Sequence, residues 1–310
     1  MSQPQPAVRL SGVVKRYGDV LAVDGIDLEV RRGECFGLLG PNGAGKTTTV
    51  EILEGILAPD EGDVEVLGAR WGAETHRLRA RLGIQLQESH FPEKLTVEET
   101  LRLFRSFYPH GLPPDEVMAT IGLTDKRRAW VRTLSGGQRQ RLSLGVALVG
   151  APEMLFLDEP TTGLDPQSRR SVWQIVERFR AGGGTVLLTT HYMEEAQRLC
   201  DRVAIVDRGR VIAQGSPREL IGRLGAAHVV EAVVAGDAPP DADLARLPGV
   251  AAAETAAARL RLTTDEPHRA IPALLADLAA RGLELRELTT HHASLEDVFV
   301  ALTGRHLRDG

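Results

Sequence analysis

The chain has 310 residues, 43% of them hydrophobic and 25% charged, with a formal net charge of −5 at neutral pH. That is enough for one large and one smaller soluble domain, and it leaves no basic footprint for nucleic acid. Only two cysteines occur, Cys35 and Cys200, far apart and in apolar surroundings, which argues against a disulfide framework or a cysteine-ligated zinc site and for a reducing compartment.

The opening MSQPQPAVRL lacks the charged-then-apolar pattern of a signal peptide. No run approaches about eighteen uninterrupted apolar residues, so any membrane role is expected to be peripheral. The first ordered stretch, residues 7–34, alternates apolar and polar residues around glycines and predicts antiparallel strands. CFGLLG then predicts a short buried strand, KTTTVEILEGIL a helix and RLGIQLQE another strand. From about Thr96 to Gly150 the period is helical. EMLFLDEP predicts a strand, DPQSRRSVWQIVERFRAGG a helix, GTVLLTTH a strand, YMEEAQRLC a helix and RVAIVDRGRVIAQG a hairpin. Strands alternating with helices imply an α/β core with a largely parallel sheet.

Near Gly215 the character changes, and a small α+β domain is expected from about residue 226, after a first domain spanning 1–220. Its last helix opens at Ser294, with Asp297 three residues on completing a capping box. There is no internal repeat and no second copy of any phosphate motif.

GPNGAGKT, Gly40 to Thr47, has the spacing of a phosphate-binding loop between a strand and a helix. Gly40, Gly43 and Gly45 let backbone N–H groups curl around phosphates, with Asn42 and Thr48 in the same run. Lys46 is suited to the β- and γ-phosphates and the Thr47 hydroxyl to Mg²⁺. The apolar strand ending in Asp158 and Glu159 delivers two carboxylates where open α/β sheets bind ligands. Asp158 suits Mg²⁺, directly or through water, and Glu159 suits polarisation of an attacking water. A second anion site is expected at LSGGQRQRLSLGVAL, Leu134 to Leu148, where a serine and a glycine turn feed a helix N-terminus.

GPNGAGKTT, LSGGQ and LFLDEP, in that order, resemble the nucleotide-binding subunit of an ABC transporter over about Val8 to Gly215. The resemblance implies a P-loop NTPase fold with an antiparallel β subdomain, a helical subdomain at about 88–150, and ATP with Mg²⁺ as ligands. It implies a head-to-tail dimer, with a second copy or a paralogue, in which Ser135, Gly136, Gly137 and Gln138 face the nucleotide held by the partner. Tyr17 resembles the aromatic that stacks on adenine, and Asp165 the dimer-interface aspartate, though it also suits an N-cap for the helix at Pro166. Gln87 resembles the glutamine that senses Mg²⁺ and water; Gln85 competes, since strand alternation puts both on one face. His191 resembles the switch histidine that hydrogen-bonds the γ-phosphate.

SLEDVFVALTGR, near the C-terminus, resembles the tail of ATPases serving drug exporters of the daunorubicin-resistance type. The expected function is therefore ATP hydrolysis powering a separate membrane permease that exports a drug, antibiotic or lipid-like molecule, from the cytoplasmic face of the membrane. The helical insert would carry the docking surface. A soluble ABC ATPase acting on ribosomes or DNA is the alternative, but fused halves, coiled-coil insertions and basic charge are lacking. The C-terminal domain fits either a small-molecule sensor or a dimer-stabilising cap. His291–His292 lacks a third metal ligand nearby, and the basic run Lys126 to Arg132 is expected to be a solvated surface.

Overall fold

The structure, a computed structural model, describes residues 5–72, 74–87 and 90–304. The chain divides into two compact units, the first running to Ser216 and the second beginning at Pro217. Among the described residues thirteen strands are formed: β1 (Val8–Tyr17), β2 (Val20–Val30), β3 (Cys35–Leu39), β4 (Glu61–Val66), β5 (Leu82–Gln85), β6 (Met154–Asp158), β7 (Thr185–Thr190), β8 (Arg202–Asp207), β9 (Arg210–Gly215), β10 (His228–Val234), β11 (Ala252–Ala256), β12 (Arg259–Thr264) and β13 (Leu285–His292).

The core of the first unit is a six-stranded sheet in the order β5-β6-β7-β3-β8-β9. All pairs are parallel except the terminal hairpin β8-β9. Strands β3, β6 and β7 are buried at every position, as expected of apolar strands covered on both faces. Parallel strands share a direction, so the segments leaving β3, β5, β6 and β7 all emerge on one edge. The register is tight there: Leu39 lies opposite Thr190, Asp158 opposite Thr189, and Gln85 opposite Leu157.

A second, antiparallel sheet, β2-β1-β4, supplies Val8, Leu10, Val13, Ile26 and Leu28 to the same core. The helical segment holds helices Val97–Arg105, Pro114–Thr120 and Gly136–Leu148. Thr96 and Glu99 cap the first of these reciprocally. The two cysteines, distant in sequence, meet inside this unit as free thiols, and hydrogen bonding with Cys35, together with burial, pushes the Cys200 thiol well above its ordinary pKa.

The second unit is a four-stranded antiparallel sheet, β11-β12-β10-β13. Val230, Ala232, Leu260 and Leu262 form one buried face, packed with Leu274 and Leu278 of helix Pro267–Ala280. Helix Leu295–Thr303 opens with the expected Ser294/Asp297 capping box. Asp297 also binds Arg261 and lies 3.2 Å from His291 Nε2, so His291 is occupied by a structural contact.

Candidate functional site

The loop after β3 turns into helix Lys46–Leu53 through Gly45, whose φ of 98° places it in the left-handed region. A Cβ on Gly45 would lie 2.2 Å from the Ala22 carbonyl, and one on Gly40 2.2 Å from that of Val206. Both positions therefore need glycine for backbone approach as well as for shape. Gly45 offers no side-chain cap, so the amides of the first helical turn stay available to an anion. Asn42 and Gly43 are exposed at the loop tip and Thr48 is half-buried behind it.

Lys46 is buried, and its Nζ donates to the carbonyls of Gly40 at 2.8 Å and Pro41 at 3.0 Å. Burial pulls its pKa below the ordinary lysine value, while the charges of Glu159 and Asp158 oppose that shift. Asp158, at the end of β6, is buried beside Thr47, with Thr47 Oγ1 3.4 Å from Asp158 Oδ2. Its other oxygen accepts from the Thr189 hydroxyl of β7.

Glu159 follows in the left-handed region, with φ 46°, unusual for a side-chain-bearing residue. The turn is held by its N–H, which is shared between Thr189 Oγ1 at 3.0 Å and the Thr189 carbonyl at 3.2 Å. Thr162 Oγ1 donates to Glu159 Oε2 at 3.0 Å, and His191 Nδ1 lies 3.2 Å from Oε1. The histidine contact is close but off the hydrogen-bonding line, so Nδ1 has no aligned partner. The imidazole also leans on Tyr192, with ring centroids 4.2 Å apart.

The two glutamines separate, against the expectation of a shared face. Strand β5 ends at Gln85, which is buried with both amide atoms unpartnered, whereas Gln87 is exposed beyond the strand. Strand alternation stops applying once the chain leaves the sheet. Gln87 lines a cavity of about 250 Å³ with Thr47, Glu51, Glu54 and Asp158. Hydroxyl, amide and carboxylate oxygens of this kind are the donor set that Mg²⁺ prefers. Glu54 is 1% exposed, its two oxygens have no partner, and burial, reinforced by Asp158 and Glu51, raises its pKa to about 8.

The sequence expects a glycine turn before the signature helix, but the helix begins at Gly136 itself. Ser135 is the N-cap: its Oγ accepts from Gln138 N–H at 3.3 Å, and its own N–H donates to Gln138 Oε1 at 3.0 Å. The Ser135 hydroxyl proton is left to donate elsewhere. Gly137 is buried against the next helix, where a Cβ would meet Ser168 Oγ at 2.3 Å. Gly136 has nothing within 4 Å of where a Cβ would stand. Gln140 Nε2 donates to the Pro160 carbonyl at 2.7 Å, tying this helix to the turn after Glu159.

Asp165 caps helix Pro166–Ala181, accepting from the N–H groups of Gln167 and Ser168 at 3.0 Å each. Tyr17 stands at the exposed end of β1, paired across to Val20. In the basic run, Arg127 is bound to Glu98 and Asp115, and Arg132 lies over the exposed Trp130 ring at 4.2 Å. Thus Lys46, Thr47, Gln87, Asp158, Glu159 and His191 gather on the carboxyl edge of the parallel sheet. Ser135 to Gln138 turn to one another and to Ser168. Sequence reading missed Thr189, which anchors both acidic residues; two threonines ending an otherwise apolar strand were its signal.

The ABC transporter family model matches residues 23–162. The Nod factor export ATP-binding protein I of Ralstonia nicotianae is 40% identical, over 98% of this chain and 96% of that protein. The daunorubicin/doxorubicin resistance ATP-binding protein of Streptomyces peucetius is also 40% identical, over 99% and 96%. The linearmycin resistance ATP-binding protein of Bacillus subtilis is 36% identical, over 97% and 100%. Among solved structures, an ATP-binding subunit of an ABC transporter superposes with a TM-score of 0.64 at 27% identity, covering 71% of this chain and 93% of its own. A component of an ABC transporter complex from Clostridium perfringens gives 0.63 at 28%, covering 71% and 92%.

Proposed function

The chain belongs to the ABC transporter ATP-binding proteins, and from that premise we propose that it is the ATP-hydrolysing subunit of an exporter for a drug, antibiotic or lipid-like molecule. The observation that carries this is the likeness to exporter ATP-binding proteins over nearly the whole chain, second unit included.

The residues divide the work by position. The amides from Gly40 to Thr48 and the Lys46 ammonium hold the ATP phosphates, and Tyr17 stacks on the adenine. Thr47, Asp158 and Gln87 would hold Mg²⁺, which would supply charge neutralisation for phosphoryl transfer. Glu159 accepts a proton from the attacking water as its oxygen bonds to the γ-phosphorus. The bond to the β-phosphate oxygen breaks, and ADP and phosphate leave. Thr162 fixes the Glu159 carboxylate, and His191 is free to turn towards the γ-phosphate.

Ser135, Gly136, Gly137 and Gln138 complete the site of a second copy, or a paralogue, arranged head to tail. The open space at Gly136 supports this, because nothing within its own chain requires a bare backbone there. ATP then acts as interfacial glue that hydrolysis removes.

Among the described residues no helix is long and apolar enough to cross a membrane. The reading therefore assigns the spanning part to a separate permease and places this subunit on the membrane's cytoplasmic face. The helical segment exposes Phe107 (67%), Trp130 (46%) and Leu103 (40%), an apolar surface suited to that docking. The test is ATP-dependent dimerisation followed by sedimentation: the Glu159→Gln protein should dimerise with ATP and not with ADP. A monomer under both conditions would contradict the shared-nucleotide arrangement.

A further inference from the structure

One buried carboxylate outside the assigned residues touches several segments that carry the site. Glu195, on helix Met193–Leu199, has no exposed surface. Its Oε1 accepts a 2.9 Å hydrogen bond from Trp173 Nε1, on the helix that Asp165 caps. Burial raises the pKa of this carboxyl, and the neighbouring Thr190, Trp173 and Thr161 side chains and the Arg169 charge oppose that rise. Of these contacts the Trp173 bond is the well-aligned one, since Oε2 and Thr161 Oγ1 are buried without an aligned partner.

Two of these neighbours, Thr190 and Thr161, flank residues that have been assigned a role. Thr190 ends β7 immediately before His191, and its Oγ1 accepts from Tyr192 N–H at 2.9 Å, so it brackets the histidine. Thr161 is buried in the turn between Glu159 and Asp165. Arg169 lies over the Tyr192 ring at 4.5 Å. A carboxylate in such a place costs more than an aliphatic side chain unless its polar bonds are used.

We propose that Glu195 is a positioning residue that fastens the end of β7, the turn between Glu159 and Asp165, and the helix opened by Asp165 into one unit. His191 and Asp165 then keep a fixed relation, so a change at the γ-phosphate sensed by one is carried to the interface residue of the other. This inference rests on the ATPase reading above.

The test is steady-state ATP hydrolysis by the full chain with Glu195→Ala, Glu195→Gln and Trp173→Phe. The expected result for Glu195→Ala is a kcat about tenfold or more below wild type, with KM for ATP within about threefold, because geometry is lost and binding is kept. Glu195→Gln should restore most of kcat, since the amide can accept from Trp173 and donate to a threonine. Trp173→Phe should lower kcat severalfold and add little on top of Glu195→Ala, the non-additivity expected of one linkage. Wild-type kcat in both Glu195→Ala and Trp173→Phe overturns the inference, as does a loss shared equally between kcat and KM. If Glu195→Ala does not fold, Trp173→Phe decides alone, and unchanged kcat there overturns it. A wild-type protein that hydrolyses no ATP would defeat the functional reading instead.

Discussion

His191 Nδ1 stands 3.2 Å from Glu159 Oε1, while Thr162 holds the opposite carboxylate oxygen at 3.0 Å. The two chain segments reach this arrangement from adjacent parallel strands, with Asp158, one residue before Glu159, opposite Thr189, two residues before His191. Glu159 is thereby fixed in place, as the proposed general base requires.

Replacing Glu159 with Gln keeps the side-chain volume and removes the proton acceptor. Hydrolysis should fall by a factor on the order of 10² to 10⁴, with ATP affinity retained. Phosphate-release and nucleotide-binding assays check the two halves separately. Turnover near wild type would remove Glu159 from its role.

Lys46 spends two of its three donors on the carbonyls of its own loop, at 2.8 and 3.0 Å, which leaves one for a phosphate oxygen. Lys46→Ala should therefore weaken ATP binding or turnover by about tenfold or more through loss of phosphate contact. Calorimetric titration and turnover together decide it, and values equal to wild type in both would contradict the phosphate role.

The two signature glycines should behave differently. Gly137→Ala drives a methyl to 2.3 Å from Ser168 Oγ and should destabilise the protein by about 1–3 kcal/mol. Gly136→Ala meets nothing within 4 Å and should leave the unfolding midpoint unchanged or raise it, since alanine favours a helix over glycine. Its ATPase rate should nevertheless fall, because in the proposed head-to-tail dimer the methyl would face the partner's nucleotide. Equal rates for wild type and Gly136→Ala would argue against that interface.

Glu54 gives a pH-dependent prediction. Its carboxyl has a pKa near 8 when folded, raised by burial and by Asp158 and Glu51, against an ordinary value of 4.5. Between those values the unfolded chain has lost the proton that the folded chain retains, so stability falls as pH rises. Glu54→Gln removes that penalty and should stabilise by on the order of 3 kcal/mol near pH 7, shrinking towards zero near pH 4.5. Trp71, whose Nε1 donates to the Leu53 carbonyl at 3.1 Å, is a nearby fluorescent probe for urea unfolding. A gain that is the same at pH 5 and pH 8 would refute the assignment.

Much of this is legible in the sequence. The phosphate loop, the acidic strand end and the histidine following β7 are local patterns, and the parallel sheet carries each to one edge. The apolar runs of β3, β6 and β7 made their burial readable, and the Asp165 cap was fixed by residues adjacent in sequence. Strand β11 carries little sequence signal, because Ala252–Ala256 is alanine-rich and alanine has little intrinsic preference for strands. The end of β5 at Gln85 depends on where pairing with β6 stops, a tertiary matter that alternation cannot report. The contacts of Thr189, Ser168 and Glu195 join segments brought together by the fold alone.

The most direct test of the central claim is purification of tagged protein from its native membranes in mild detergent, with and without ATP, followed by identification of stoichiometric partners. The account predicts a co-purifying protein with several membrane spans. Recovery from the soluble fraction alone, with ribosomes or DNA attached, would contradict the transport reading while leaving the ATPase chemistry in place.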